Sequence, residues 1–88
     1  MEELRKLKND MEELLGEHVL LTYVTGNEEM CWNEQVTMIV GKYRICIEGF
    51  DKERCSAKIQ VRGEKQLSTF YFRGFSNFAN IFKIHYKL

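Results

Sequence analysis

The chain has 88 residues, no proline and three cysteines, and it lacks a long apolar run and a net charge. Each absence excludes something. No proline-rich linker or low-complexity tract divides the chain, and its length is that of one domain, about 100–150 residues being typical. Cys31, Cys46 and Cys55 are odd in number, with spacings of 15 and 9. A small secreted scaffold stapled by disulfides would carry an even set. Reduced thiols, and with them a cytoplasmic location, are therefore expected. No apolar stretch approaches the roughly 18 residues of a membrane helix. The opening MEELRKLKNDMEELLGEH is too charged for the apolar region of a signal peptide.

What is present is 44% hydrophobic and 30% charged, enough apolar material for one modest core. The zero net charge is a sum of two unlike halves. Residues 1–35 hold nine acids and three bases, a net of −6, and residues 36–88 hold ten bases and four acids, a net of +6. That asymmetry bears on fields and partners rather than on fold.

Residues 2–15 are expected to form a helix. Leu4, Leu7, Met11 and Leu14 repeat at spacings of three and four and make one apolar stripe. Glu2 and Glu3 suit the positive end of the helix dipole, and Gly16 suits its stop. From about residue 18 the period becomes two. Strands are expected at about 18–25, 32–40, 43–49, 55–62 and 67–73, with a sixth at 82–88.

Gly41-Lys42 is a two-residue hairpin turn, and it predicts a register. Val40 should face Tyr43, Met38 should face Ile45, and Val36 should face Ile47, all on one apolar face. Cys55, Ala57, Ile59 and Val61 alternate with Ser56, Lys58, Gln60 and Arg62. Phe70, Tyr71 and Phe72 break the alternation, which predicts a fifth strand that is central or covered on its second side. In the C-terminal segment Phe75, Phe78 and Phe82 suit a helical turn at 76–80. Phe82, Ile84, Tyr86 and Leu88 alternate with Lys83, His85 and Lys87, which favours a strand after it. No helix separates successive strands, so parallel βαβ units are not expected. The fold class is α+β, with one N-terminal helix packed on a twisted antiparallel meander of five or six strands.

Motifs for chemistry are sparse. The six glycines do not form a G-x-G-x-x-G loop, and Gly41-Lys42 is not the end of a P-loop, since Val36 and Tyr43 stand at the wrong places. No pair of cysteines or histidines has the two-to-four-residue spacing of a structural zinc site, so no metal and no cofactor are expected. Neither a nucleophile–base pair nor a carboxylate pair is marked by its neighbours, so no enzymatic activity is expected.

Binding is the remaining class. Glu28, Glu29, Met30, Trp32 and Glu34 combine an aromatic anchor with an acidic rim, the composition of an epitope for a protein with a basic surface. The leading expectation is a small stand-alone inhibitor or regulator of a protein target, a type common among short products of phages and mobile elements. The alternative is nucleic-acid binding by the basic C-terminal half, through Lys58, Arg62, Lys65, Arg73, Lys83 and Lys87 beside the aromatics of FYFRGFSNF. Arg73-Gly74-Phe75 matches the first three positions of an RNP1 signature, but Ser76 and Asn77 break it, and the order of elements is wrong for that fold. A homodimer or small-ligand subunit built around the fifth strand is the third expectation.

Overall fold

The structure is a computed structural model and describes residues 2–25, 34–49 and 54–88. Helix α1 runs over Glu2–Leu15. Strands β1 (Leu20–Thr25), β2 (Glu34–Val40), β3 (Tyr43–Gly49), β4 (Cys55–Val61) and β5 (Ser68–Phe72) follow. A 3-10 turn at Phe75–Asn77 leads into helix α2, Phe78–Tyr86. The five strands form one sheet in the order β1-β2-β3-β4-β5, with every neighbouring pair antiparallel. The α+β class and the meander are as expected from the pattern.

Helix α1 buries Leu4, Leu7 and Met11 and packs Leu14 and Leu15 at the core's margin. Its end is built locally. Gly16 adopts φ +68° and donates its N–H to the Glu12 carbonyl at 2.8 Å. A residue with a Cβ is strained there, which is why helices so often stop at glycine. Glu12 then turns its side chain forward. Its Oε2 accepts the Val19 N–H at 3.1 Å and lies 3.0 Å from His18 Nδ1. That bridge ties the helix to the approach to β1, so the first strand begins at Leu20 rather than at 18.

The β2–β3 hairpin has the register its turn predicts: Val40 opposite Tyr43, Met38 opposite Ile45, and Val36 opposite Ile47. All six are buried. Ala57, Ile59, Val61 and Cys55 of β4 extend the same face, so alternation alone carries the core across three strands.

The C-terminal segment differs from expectation. There is no strand at 82–88; residues 78–86 are the helix α2. The alternation there is real but has no partner strand, whereas the helical reading presents Phe75, Phe78 and Phe82 together on one side. All three are buried. The Phe82 ring meets Tyr43 edge-on with centroids 4.9 Å apart, and Phe78 lies 5.4 Å from Phe72. Burying these aromatics over β3–β5 outweighs leaving Ile84 and Leu88 exposed. The helix closes in a Schellman arrangement: Lys87 adopts φ 56°, its N–H bonds to the Ile84 carbonyl, and the Leu88 N–H bonds to that of Lys83.

The fifth strand is also not central. β5 is an outer strand, with Phe70 and Phe72 toward the helices and Tyr71 on the other side, 82% exposed. The run of three aromatics therefore reflects a strand whose second side no described element covers, where a tyrosine keeps its hydroxyl wet.

Candidate functional site: the uncovered face of the sheet

Both helices lie on the same side of the sheet, against the buried residues of β2, β3 and β4, and among the described residues no element covers the other side. Strand geometry then dictates the composition of the other side, because alternate residues must point there. The register sets them in three rows. The first is Leu20, Ile39, Arg44 and Gln60. The second is Thr22, Thr37, Cys46, Lys58 and Thr69, and the third is Val24, Gln35, Glu48, Ser56 and Tyr71.

This face is two-toned. At the β1–β2 side Leu20, Val24 and Ile39 are exposed, with Leu20 at 61%, and at the β5 side Tyr71 stands out. Between them lie polar groups and two cations, Arg44 and Lys58, with one acid, Glu48. Gln35 donates from Nε2 to Cys46 Sγ at 3.3 Å, so even the centre of the face is held by side-chain contacts. Exposed aliphatics gathered at one margin of a face are a feature that calls for a partner, whereas single ones scattered over a surface are not.

At the turn end of the sheet the β2–β3 and β4–β5 connections come together. The Arg62 N–H donates to the Lys42 carbonyl at 2.8 Å, and Arg62 Nη2 approaches the Gly41 carbonyl at 3.5 Å. Lys42, Arg44, Gln60 and Arg62 line one groove there, with no carboxylate in its lining. Glu17 lies close by; its carboxylate occupies the space a Cβ at Gly41 would need.

The expected binding residues fall in several places. Of the acidic epitope, Glu34 begins β2 and accepts the Tyr23 hydroxyl at 3.0 Å. Glu28, Glu29, Met30 and Trp32 lie outside the described residues, as does Cys31. The basic set is not brought onto one surface. Lys58 is on the uncovered face, and Arg62 and Lys65 belong to the β4–β5 turn end. Arg73 follows β5 at the opposite end, where Asn77 Nδ2 donates to its carbonyl. Lys83 belongs to α2 and Lys87 closes it, both in the helix layer. Sequence reasoning missed Lys42 and Arg44 as companions of Arg62; the β3–β4 register, with Tyr43 opposite Val61 and Arg44 opposite Gln60, brings them together, and the sequence pattern did not fix that register.

The two charged segments share a layer. Lys6, Asp10 and Glu13 of α1 and Asn80 and Lys83 of α2 line one cleft, and Lys6 pairs with Asp10 at 2.7 Å. The acidic N-terminal and basic C-terminal helices thus lie side by side rather than on opposite faces. Among the described residues no three His, Cys, Asp or Glu side chains gather as a metal-binding set, and no helix is long and apolar enough to cross a membrane. No protein family, curated protein or solved structure matches the chain.

Proposed function

We propose that the protein is a small non-enzymatic binding domain that docks a protein target on the uncovered face of its sheet, as an inhibitor or regulator of that target. The observation that carries this reading is the placement of Leu20, Val24 and Ile39 together in water beside a polar, cation-bearing centre. An apolar margin beside polar groups has the composition of a protein interface, with the aliphatics and Tyr71 as anchors and Arg44, Lys58 and Glu48 fixing orientation. The acidic segment with Trp32 is a second contact region in this proposal, directed at a basic patch of the target.

Capture from a host lysate with the tagged chain, with and without nuclease, tests it. The proposal expects a protein retained after nuclease treatment and lost on Leu20→Asp with Ile39→Asp in a folded chain. A captured set that vanishes with nuclease, or is indifferent to both substitutions, contradicts it. Charge reversal of Glu28 and Glu29 should weaken the same interaction through its on-rate, more at low salt than at high.

Nucleic-acid binding is the second reading, favoured by the groove that Lys42, Arg44 and Arg62 line without a carboxylate. It predicts that Arg44→Glu with Arg62→Glu removes retardation of single-stranded nucleic acid. It also predicts that the salt slope falls by about 1 for each phosphate no longer neutralised. No retardation by the unmodified chain at low salt disposes of it.

A further inference from the structure

Strand β1 has β2 on one side, and no described strand pairs with its other edge. An open edge presents unpaired N–H and C=O groups, and proteins normally blunt it with charge, proline, a bulge or brevity. β1 has none of these. LLTYVT carries no charged residue, and its pairing with β2 runs unbroken from Leu20 to Thr25. It is apolar on both sides: Leu20 and Val24 are exposed on the uncovered face, and Leu21 and Tyr23 are only half-buried on the helix side. Its neighbours on the uncovered face, Gln35, Thr37 and Ile39 of β2, are uncharged as well.

The other outer strand is different in its surroundings. β5 is also without charge, but Lys58 stands beside Thr69, and His85 of α2 lies 4.4 Å from the Phe70 ring with Lys83 and Lys87 nearby in the same helix segment. Pairing β5 with its own copy would gather these basic groups from both chains. Among the described residues, pairing β1 with its own copy opposes no like charges within the strand, and the nearest carboxylate, Glu34 of β2, is held by the Tyr23 hydroxyl of its own chain.

We propose that the chain forms a homodimer by antiparallel pairing of β1 with β1 of a second copy, making one continuous ten-stranded sheet. A two-fold axis normal to the sheet keeps each side chain on its own face, so the residue on the axis must stand opposite itself. With Thr22 on the axis, Leu20 stands opposite Val24 and Leu21 opposite Tyr23, each twice. Apolar residues then meet apolar residues on both faces and Thr meets Thr, the pairings antiparallel strands favour. The dimer also joins the two uncovered faces into one, with the exposed aliphatics at its centre.

Sedimentation of the purified chain over a concentration series, with Thr22→Lys as the variant, tests this. The substitution opposes two ammonium groups on the axis and leaves the monomer's core untouched, since Thr22 is exposed. The expected result is a concentration-dependent dimer for the unmodified chain and a monomer for Thr22→Lys at every concentration, with equal circular dichroism. In a second arm, Thr22→Cys should give a disulfide joining the two copies of position 22 on mild oxidation, shown by peptide mapping, and Thr69→Cys on β5 should not join its two copies. A monomeric unmodified chain, a dimer that survives Thr22→Lys, or linkage through position 69 in place of 22 overturns the proposal. Both arms use the pure chain, so they stand apart from capture of a target.

Discussion

Phe82 and Ile84 are two residues apart and would share one face of a strand; in α2 they do not. Phe82 is fully buried, edge-on to Tyr43 at 4.9 Å and 4.7 Å from the Tyr86 ring, while Ile84 is 76% exposed. Truncating a buried phenylalanine to alanine costs about 3–5 kcal/mol from lost transfer energy and the cavity left behind. Phe82 lies toward the upper end of that range, because its aromatic neighbours are left without their partner ring. A domain of this size holds roughly 4–13 kcal/mol in all. Phe82→Ala should therefore remove a large share of the stability, and Tm should fall by about 12 °C or more at ~4–8 °C per kcal/mol. Ile84→Ala should stay within about 0.5 kcal/mol, as an exposed substitution does. Urea titrations with circular dichroism on both variants, at a common m value, read the difference directly. A loss above about 2 kcal/mol for Ile84→Ala, or below about 1 kcal/mol for Phe82→Ala, would refute the packing of α2 and revive the strand pattern.

Three further outcomes follow from local geometry. The Val19 N–H, more than Lys8 and His18, holds the Glu12 carboxyl below the ordinary carboxylate range. A lowered folded pKa gives stability that is present above the unfolded value, about 4.3 for glutamate, and lost as pH falls through the folded value. The stability difference between the protein and Glu12→Gln should accordingly be flat near neutrality and close on acidification; a gap that widens in acid contradicts the bridge. Gly63 has φ +89° and open space where a Cβ would go. Gly63→Ala should cost about 1–2 kcal/mol from backbone strain alone, measured by denaturant midpoint, and a neutral or stabilising result would mean that the turn relaxes. Tyr71→Ser removes an exposed ring and should leave the denaturant midpoint within about 0.5 kcal/mol of the original, while reducing retention of a target protein.

Where the apolar pattern had a single geometric solution, the sequence was enough. The stripe of Leu4, Leu7 and Met11 and the Val36–Ile47 ladder each fit one period, and the two-residue turn at Gly41-Lys42 locked the register. The C-terminal residues fit two periods at once. The choice between them was made by Tyr43 and Phe72, distant in sequence, which needed aromatic cover. β5 misled for a related reason: consecutive aromatics signal burial on both sides only if something covers the second side, and nothing in the residues themselves counts layers. The uncovered face is half visible in the sequence, since the register set by the Gly41-Lys42 turn pairs Thr37 with Cys46 and Ile39 with Arg44 on the side away from the apolar one. What turned it into a candidate site was the placement of α2 on the same side as α1. Among the described residues the acidic α1 and the basic α2 do not become two faces, because Lys83 of α2 sits across a cleft from Asp10 and Glu13 of α1.

The claim that the uncovered face is the working surface is tested most directly by comparing two charge variants in the same nuclease-treated capture. Thr37→Arg with Cys46→Arg crowds the centre of that face, and Glu3→Gln with Glu13→Gln alters the helix layer by the same charge, +2. Loss of the captured protein with the first variant and its retention with the second is the predicted result. Retention with the first and loss with the second would move the binding surface to the helices and contradict the account.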